Sequence, residues 1–264
     1  MNSPSIDTDH LLIERDGGII TVTFNRPDVF NAMTFEMYDR LAELCHSVNA
    51  DPSVRTIVLT GAGKAFVAGT DIAQFRSFKQ PSDASGYEAR IEKVLSALES
   101  VHVPTIAALN GATVGGGAGL AACCDIRIGT PPAKYGFPVA RTLGNCLSMG
   151  NYTRLVALVG VSRVKDMLMT ARLLEANECI SMGLYKEIVE RDALLPRAYE
   201  LAREIATFAP LTLQVTKEAL RRIKDRMLPP DSDHDLLLTC YSSNDFREGV
   251  SAFLDKRPPQ WTGT

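Results

Sequence analysis

The sequence carries no strong excess of either charge: 28 Lys and Arg stand against 31 Asp and Glu, a formal net charge of -3. That balance argues against general binding to nucleic acid or to an anionic membrane, so any anionic ligand must be held locally. No apolar run approaches the length of a membrane span, and the opening MNSPSIDTDH is polar, without the apolar segment of a secretory signal. A cytoplasmic location is expected. The four histidines (His10, His46, His102, His234) are scattered, with no H-x-x-x-H pair and no carboxylate at ligand spacing, so no metal is expected. The six cysteines (Cys45, Cys123, Cys124, Cys146, Cys179, Cys240) include no C-x-x-C, and the vicinal pair suits neither a disulfide nor a tetrahedral zinc site. They read as reduced, mostly buried thiols.

With 264 residues, 45% of them hydrophobic and 22% charged, the chain is long enough for one α/β unit with a smaller appendage. Leu11 to Arg15 and Ile19 to Phe24 flank Asp16-Gly17-Gly18, which predicts a hairpin. From Thr34, a plausible N-cap, Met37, Leu41, Leu44, Cys45 and Val48 recur at helical spacing up to Asp51-Pro52. Val54 to Thr60, Thr105 to Leu109 and Cys124 to Ile128 are short apolar runs that predict buried strands, with a helix over 83–99 between the first two. Strand, glycine turn, helix and strand in succession predict stacked βαβ units to about residue 192. Four helical patterns follow (Ala193 to Phe208, Leu211 to Met227, Asp235 to Ser242, Asp245 to Lys256), broken at Pro210 and Pro229-Pro230. A boundary near 195 therefore separates an α/β core (1–195) from a helical subdomain (196–264). Arg221, Arg222, Lys224 and Arg226 read as a solvated helix face rather than a nucleic-acid contact.

Two glycine-rich loops follow buried strands: Gly61 to Asp71, and Asn110 to Gly119, which leads into a helix at Leu120. Neither matches G-x-x-x-x-G-K-[ST] or G-x-G-x-x-G. Gly115-Gly116-Gly117 at a helix start leaves backbone N–H groups free for close approach of a ligand. A flexible turn would explain one such loop; two favour a converging pair of donors.

Along nearly its whole length the chain resembles the crotonase superfamily, the enoyl-CoA hydratase/isomerase family. The motifs are Asn25-Arg26-Pro27 with Asn31-Ala32, Gly63-Lys64-Ala65-Phe66 with Ala68-Gly69-Thr70-Asp71-Ile72, Ala107 to Gly111 with the triple glycine, Cys124-Asp125-Ile126-Arg127, Tyr135-Gly136, and Glu248-Gly249 with Ala252 to Arg257. The resemblance implies a spiral of ββα and βαβ turns with a C-terminal helical trimerisation region, hence a homotrimer or a dimer of trimers. It implies a CoA thioester as substrate, with no separate cofactor, and an oxyanion hole made by the backbone N–H groups of Thr70 and Gly116. Such donors stabilise the negative charge that develops on a thioester oxygen. Because they are main-chain groups, the Thr70 side chain is expected to be free to vary. CoA itself is expected along Asp28-Val29 and along Lys64 to Ile72 (Lys64, Ala65, Ala68, Thr70, Asp71, Ile72). Phe253 and Lys256 match family positions that meet the adenine ring and the 3'-phosphate; Phe253 reads equally as a core residue of the last helix.

The family's hydratases activate water between two glutamates, and here Gly119 and Val139 hold those positions. The run Ser100 to Lys165 contains one acidic residue, Asp125, in the segment that is structural in the family. The remodelled wall brings Arg141, Asn145 and Cys146. Arg141 reads either as an ion-pair partner or as a clamp for a carboxylate or a water, never as a base. Cys146 reads as an inert thiol rather than a nucleophile, and Asp71 as structural. The expectation is a CoA-thioester enzyme whose chemistry needs the oxyanion hole but not the glutamate pair: decarboxylation of a malonyl-type thioester, thioester hydrolysis, or hydration with relocated acids. A catalytically silent acyl-CoA binder is the alternative of another class.

Overall fold

The computed structural model describes residues 9–77, 81–228 and 234–264. It opens on the hairpin, β1 (Leu11–Asp16) and β2 (Ile19–Phe24), in register from Leu11 opposite Phe24 to Asp16 opposite Ile19. α1 (Phe35–Ala50) starts at its cap: the Thr34 hydroxyl accepts from the Met37 N–H at 3.2 Å. Its face of Met37, Leu41, Cys45 and Val48 is buried, as the 3.6-residue period requires.

Three turns of a spiral follow. The first is β3 (Thr56–Gly61), β4 (Ala65–Val67) and α2 (Pro81–Glu99). The second is β5 (Thr105–Leu109), β6 (Ala112–Val114) and α3 (Gly116–Cys123). The third is β7 (Ile126–Gly129), β8 (Lys134–Gly136) and the short α4 (Val139–Thr142). In each turn the first strand joins a main sheet of order β1-β2-β3-β5-β7 and the second joins a smaller sheet, β4-β6-β8. Beyond the hairpin, these pairs are all parallel. After α5 (Met149–Val159) and α6 (Val161–Met169), β9 (Leu174–Glu175) adds antiparallel to β8. α7 (Ala176–Ser181) then leads to β10 (Glu187–Ile188), which extends the main sheet beside β7. This is the α/β spiral that the sequence leads one to expect. The smaller sheet is new, because strands of two or three residues set among glycines leave no alternation to read.

The main sheet is buried on both faces, which is why β3 and β5 are apolar almost throughout. One face packs Phe24, Leu59 and Leu109 against α1, α2 and α3. The other packs Ile19, Val58, Ile106 and Ile128 against Leu194, Ala198, Leu201 and Ile205 of α8 (Arg191–Ala206). The boundary expected near 195 thus falls within a helix that covers the core sheet, and α9 (Pro210–Asp225) is the first element past it. Pro210 opens α9, where a missing N–H costs no helical hydrogen bond. The Pro229-Pro230 break lies outside the described residues.

α10 (His234–Tyr241) and α11 (Asn244–Leu254) turn back onto the spiral. Leu237, Tyr241, Phe246 and Val250 pack with Phe75, in the 3-10 turn Ile72–Ser77, and with Leu143. The tail therefore packs behind Phe75 and Leu143, which line the cavity described below, and adds Phe253 to that lining. The basic run on α9 meets acids: Arg221 and Arg222 pair with Glu218, and Lys224 with Glu99. Asp125 is structural, accepting from Thr105 N–H at 2.7 Å and from Lys217 Nζ at 2.6 Å. Among the described residues no helix is long and apolar enough to cross a membrane.

Candidate active site

The two glycine loops converge. A parallel bridge joins Met33 to Thr70, in which Met33 N–H donates to the Gly69 carbonyl and Asp71 N–H to the Met33 carbonyl, each at 2.9 Å. The residue bracketed by such a pair turns its own N–H away from the partner strand. On the other loop, Gly115 N–H donates to the Gly136 carbonyl at 2.9 Å, whereas Gly116 is the first residue of α3, where the N–H has no intrahelical acceptor. Thr70 and Gly116 sit side by side: a Cβ added at Gly116 would lie 3.3 Å from Thr70 Oγ1.

Each glycine of the triple has its own cause. Gly115 holds φ 55 and ψ -120, a conformation open to glycine. A Cβ at Gly116 would fall 2.2 Å from the Tyr38 hydroxyl, and one at Gly117 2.0 Å from the Val67 carbonyl oxygen. These fits let α3 begin four residues before the expected Leu120 despite the low helix propensity of glycine.

Thr70 and Gly116 line a cavity of about 140 Å³. Gly119, Val139, Asn145, Cys146, Ala68, Ile72 and Phe253 line the same cavity. Thus both positions where the resemblance places glutamates face it, and Phe253 reaches it within one chain while remaining 51% exposed.

Three of the expected residues sit in settings that the sequence reading did not indicate. Arg141 is exposed and lies outside the lining. In the single turn of α4, Val139, Thr142 and Leu143 face the cavity at i, i+3 and i+4, which sends position i+2 to solvent. Ala65, expected beside CoA, is fully buried in β4, and its carbonyl accepts from Asn31 Nδ2 at 2.8 Å. The Thr70 side chain is not free: its hydroxyl bridges the Tyr38 hydroxyl at 3.0 Å and the Tyr87 hydroxyl at 2.9 Å. Burial pushes the Tyr38 hydroxyl up to about 12, so it stays protonated within this chain of hydroxyls.

Other expected residues lie outside the lining. Asp28, Val29, Lys64 and Lys256 are exposed. Asp71 pairs with Arg26 at 3.0 Å, in keeping with a structural role. The cysteines are free thiols, and burial pushes Cys45, Cys124 and Cys179 up to about 12. The Cys146 thiol donates to the Leu236 carbonyl at 3.6 Å.

Sequence reasoning missed Tyr38, Tyr87, Tyr241 and, above all, Glu88. Glu88 is 7% exposed and lines the cavity, and the Tyr241 hydroxyl donates to its Oε1. Its signal lay in α2, where Glu88, Ile91 and Leu95 share one face at i, i+3 and i+7, a carboxylate set in an apolar stripe.

A family model for enoyl-CoA hydratase/isomerase matches residues 14–264. A crotonyl-CoA hydratase of Syntrophomonas wolfei is 34% identical over 254 residues, covering 94% of this chain and 96% of that one. A short-chain-enoyl-CoA hydratase of Clostridium acetobutylicum is 33% identical, covering 96% and 97%. Among solved structures, an enoyl-CoA hydratase/carnithine racemase from Magnetospirillum magneticum superposes with a TM-score of 0.79 at 32% identity, covering 97% of this chain and 96% of that one. Motifs, spiral and relatives agree over almost the entire length, and the chain belongs to the enoyl-CoA hydratase/isomerase family.

Proposed function

We propose that the protein acts on a CoA thioester with a short acyl group, holding the thioester oxygen between the N–H groups of Thr70 and Gly116 and stabilising an enolate there. The convergence of the two loops on one cavity wall carries this reading. A cavity of about 140 Å³ is close to the ~150 Å³ that encloses a benzene-sized molecule, which favours a compact acyl group. Relatives named for crotonyl-CoA and short-chain enoyl-CoA substrates point the same way. The CoA moiety would then lie outside, near Phe253, with Asp28, Val29, Lys64 and Lys256 on the surface to meet it.

Gly119 and Val139 both line the cavity without a carboxylate, so activation of water between paired glutamates at those positions is not open to this chain. The relatives' names favour hydration, which here calls for an acid from elsewhere. Among the described lining residues none is a lysine, arginine or histidine, which disfavours the malonyl-type acyl group that decarboxylation needs. Calorimetric titration with crotonyl-CoA should show saturable binding. Absence of heat and of any thermal shift at millimolar thioester defeats the reading.

We further propose a homotrimer or a dimer of trimers. α9 exposes Leu211, Val215, Leu220 and Ile223, at 72%, 66%, 61% and 65%, an apolar cost that an interface would remove. Light scattering at micromolar protein should report a multiple of three chains; a monomer rules this assembly out.

A further inference from the structure

We propose that Glu88 is the proton-transfer group of the cavity, taking a proton from Cα of a bound acyl-CoA and returning it, with Tyr241 and Asn145 as positioning residues. The proposal rests on the thioester-binding reading above. Among the described residues lining the cavity, Glu88 is the one carboxylate, and it sits on α2, whereas the family positions fall on α3 and α4.

The Tyr241 hydroxyl donates to Glu88 Oε1 and accepts from Asn145 Nδ2 at 3.1 Å. Asn145 Oδ1 is buried and has no hydrogen-bond partner among the described residues. Burial, and then the charge of Glu88, push the Tyr241 hydroxyl well above its ordinary value, so it remains a donor. That direction of donation forces the amide of Asn145 to offer its Nδ2 and orphans its Oδ1. When Glu88 gains a proton, the chain can reverse if the Asn145 amide turns over: Glu88 donates to Tyr241, and Tyr241 to Asn145 Oδ1 in the place that Nδ2 now holds. The orphaned oxygen is thus the acceptor that a protonated Glu88 requires. A purely structural network would need neither the charge nor the spare acceptor.

The step balances within the site. The Cα–H bond breaks and its proton joins the Glu88 carboxylate. The electron pair forms the Cα–C1 double bond, and the thioester C=O pair moves onto oxygen, facing the N–H groups of Thr70 and Gly116. The reverse step restores the carboxylate. In heavy water the acid exchanges its proton with cavity solvent, so the returning atom is deuterium.

Proton NMR of butyryl-CoA in heavy water reads this step, with binding to the full chain followed by calorimetry. The wild type should exchange the Cα protons, and Glu88→Gln should lower the rate by about 100-fold or more while binding changes by less than about threefold. Tyr241→Phe should keep binding and lower the exchange rate at saturation by about tenfold, a separation that general loosening of the wall would not give. Where Gln disturbs binding, Glu88→Asp keeps the charge one methylene short and should bind while exchanging slowly. Exchange in Glu88→Gln or Glu88→Asp at the wild-type rate overturns the assignment, as does a wild type that binds butyryl-CoA without exchange. A wild type that fails to bind the thioester overturns the thioester reading instead.

Discussion

Gly116→Ala is expected to lower Cα-proton exchange of a bound acyl-CoA by about 100- to 1,000-fold, the usual loss on removing one oxyanion donor. The added Cβ would lie 2.2 Å from the Tyr38 hydroxyl. Tyr38 is fully buried and bonded to Thr70 at 3.0 Å, so its ring has no room to swing aside. The start of α3 must move instead, carrying the Gly116 N–H away from the position of the Thr70 donor. Tyr38→Phe in the same chain removes the obstructing oxygen, leaving the ring carbon Cζ at 3.6 Å and Thr70 Oγ1, freed from its Tyr38 partner, to give slightly at 3.3 Å. The double variant should therefore regain most of the rate. Gly116→Ala at full rate, or a double variant no faster than the single, would show that this N–H is not a donor in the reaction.

Arg154→Met should destabilise the protein by about 3 kcal/mol, the lower end for breaking a buried pair because one third of Glu92 stays exposed. Arg154 is 3% exposed and donates to both Glu92 oxygens, and to Glu99 at 3.3 Å. Glu99 keeps Lys224 when Arg154 is lost; Glu92 is left behind with only hydroxyls. A fall in melting temperature of roughly 6 to 12 °C follows. Adding Glu92→Leu removes the stranded carboxylate and should recover part of the loss. The pH dependence has a definite sign. Burial works to raise the Glu92 carboxyl, but the Arg154 guanidinium holds it below its ordinary 4.5. Its stabilisation is therefore present above pH 4.5 and is lost as pH falls through the lowered value. In Arg154→Met burial acts unopposed, so protonation relieves the variant. The gap between the two melting temperatures should narrow between pH 7 and pH 4, and a constant gap would refute the ion-pair account.

The elements legible in the sequence are those whose own period declares them. The hairpin, α1 with its Thr34 cap, and the apolar strands β3 and β5 each bury a face fixed by local pattern. The strands of the smaller sheet are set by neighbours distant in sequence, and three residues such as Ala112 to Val114 carry no period. At the site, the convergence of the two glycine loops is legible because glycine reports close approach directly. Side-chain direction is not: Arg141 and Val139 are two residues apart, and one helical turn sends one outward and the other in. The Thr70 hydroxyl has two tyrosine partners, from α1 and α2, that no local reading supplies. Glu88 escaped notice because a single acidic residue in a helix reads as solvated until its apolar neighbours Ile91 and Leu95 are placed on the same face.

The bond between Glu88 and Tyr241 joins residues 153 positions apart, and that between Asn145 and Tyr241 spans 96. Such contacts return nothing until the intervening chain has been ordered, so the loop-closure entropy is met first by the local turns of the spiral. The N–H groups of Thr70 and Gly116 are in place once neighbouring turns have stacked, whereas the Glu88 carboxylate meets Tyr241 only when α10 docks. The two halves of the chemistry therefore sit in units of different cooperativity. An excursion that lifts α10 and α11 would release Glu88 and widen the cavity while the sheet and its amide donors stay formed.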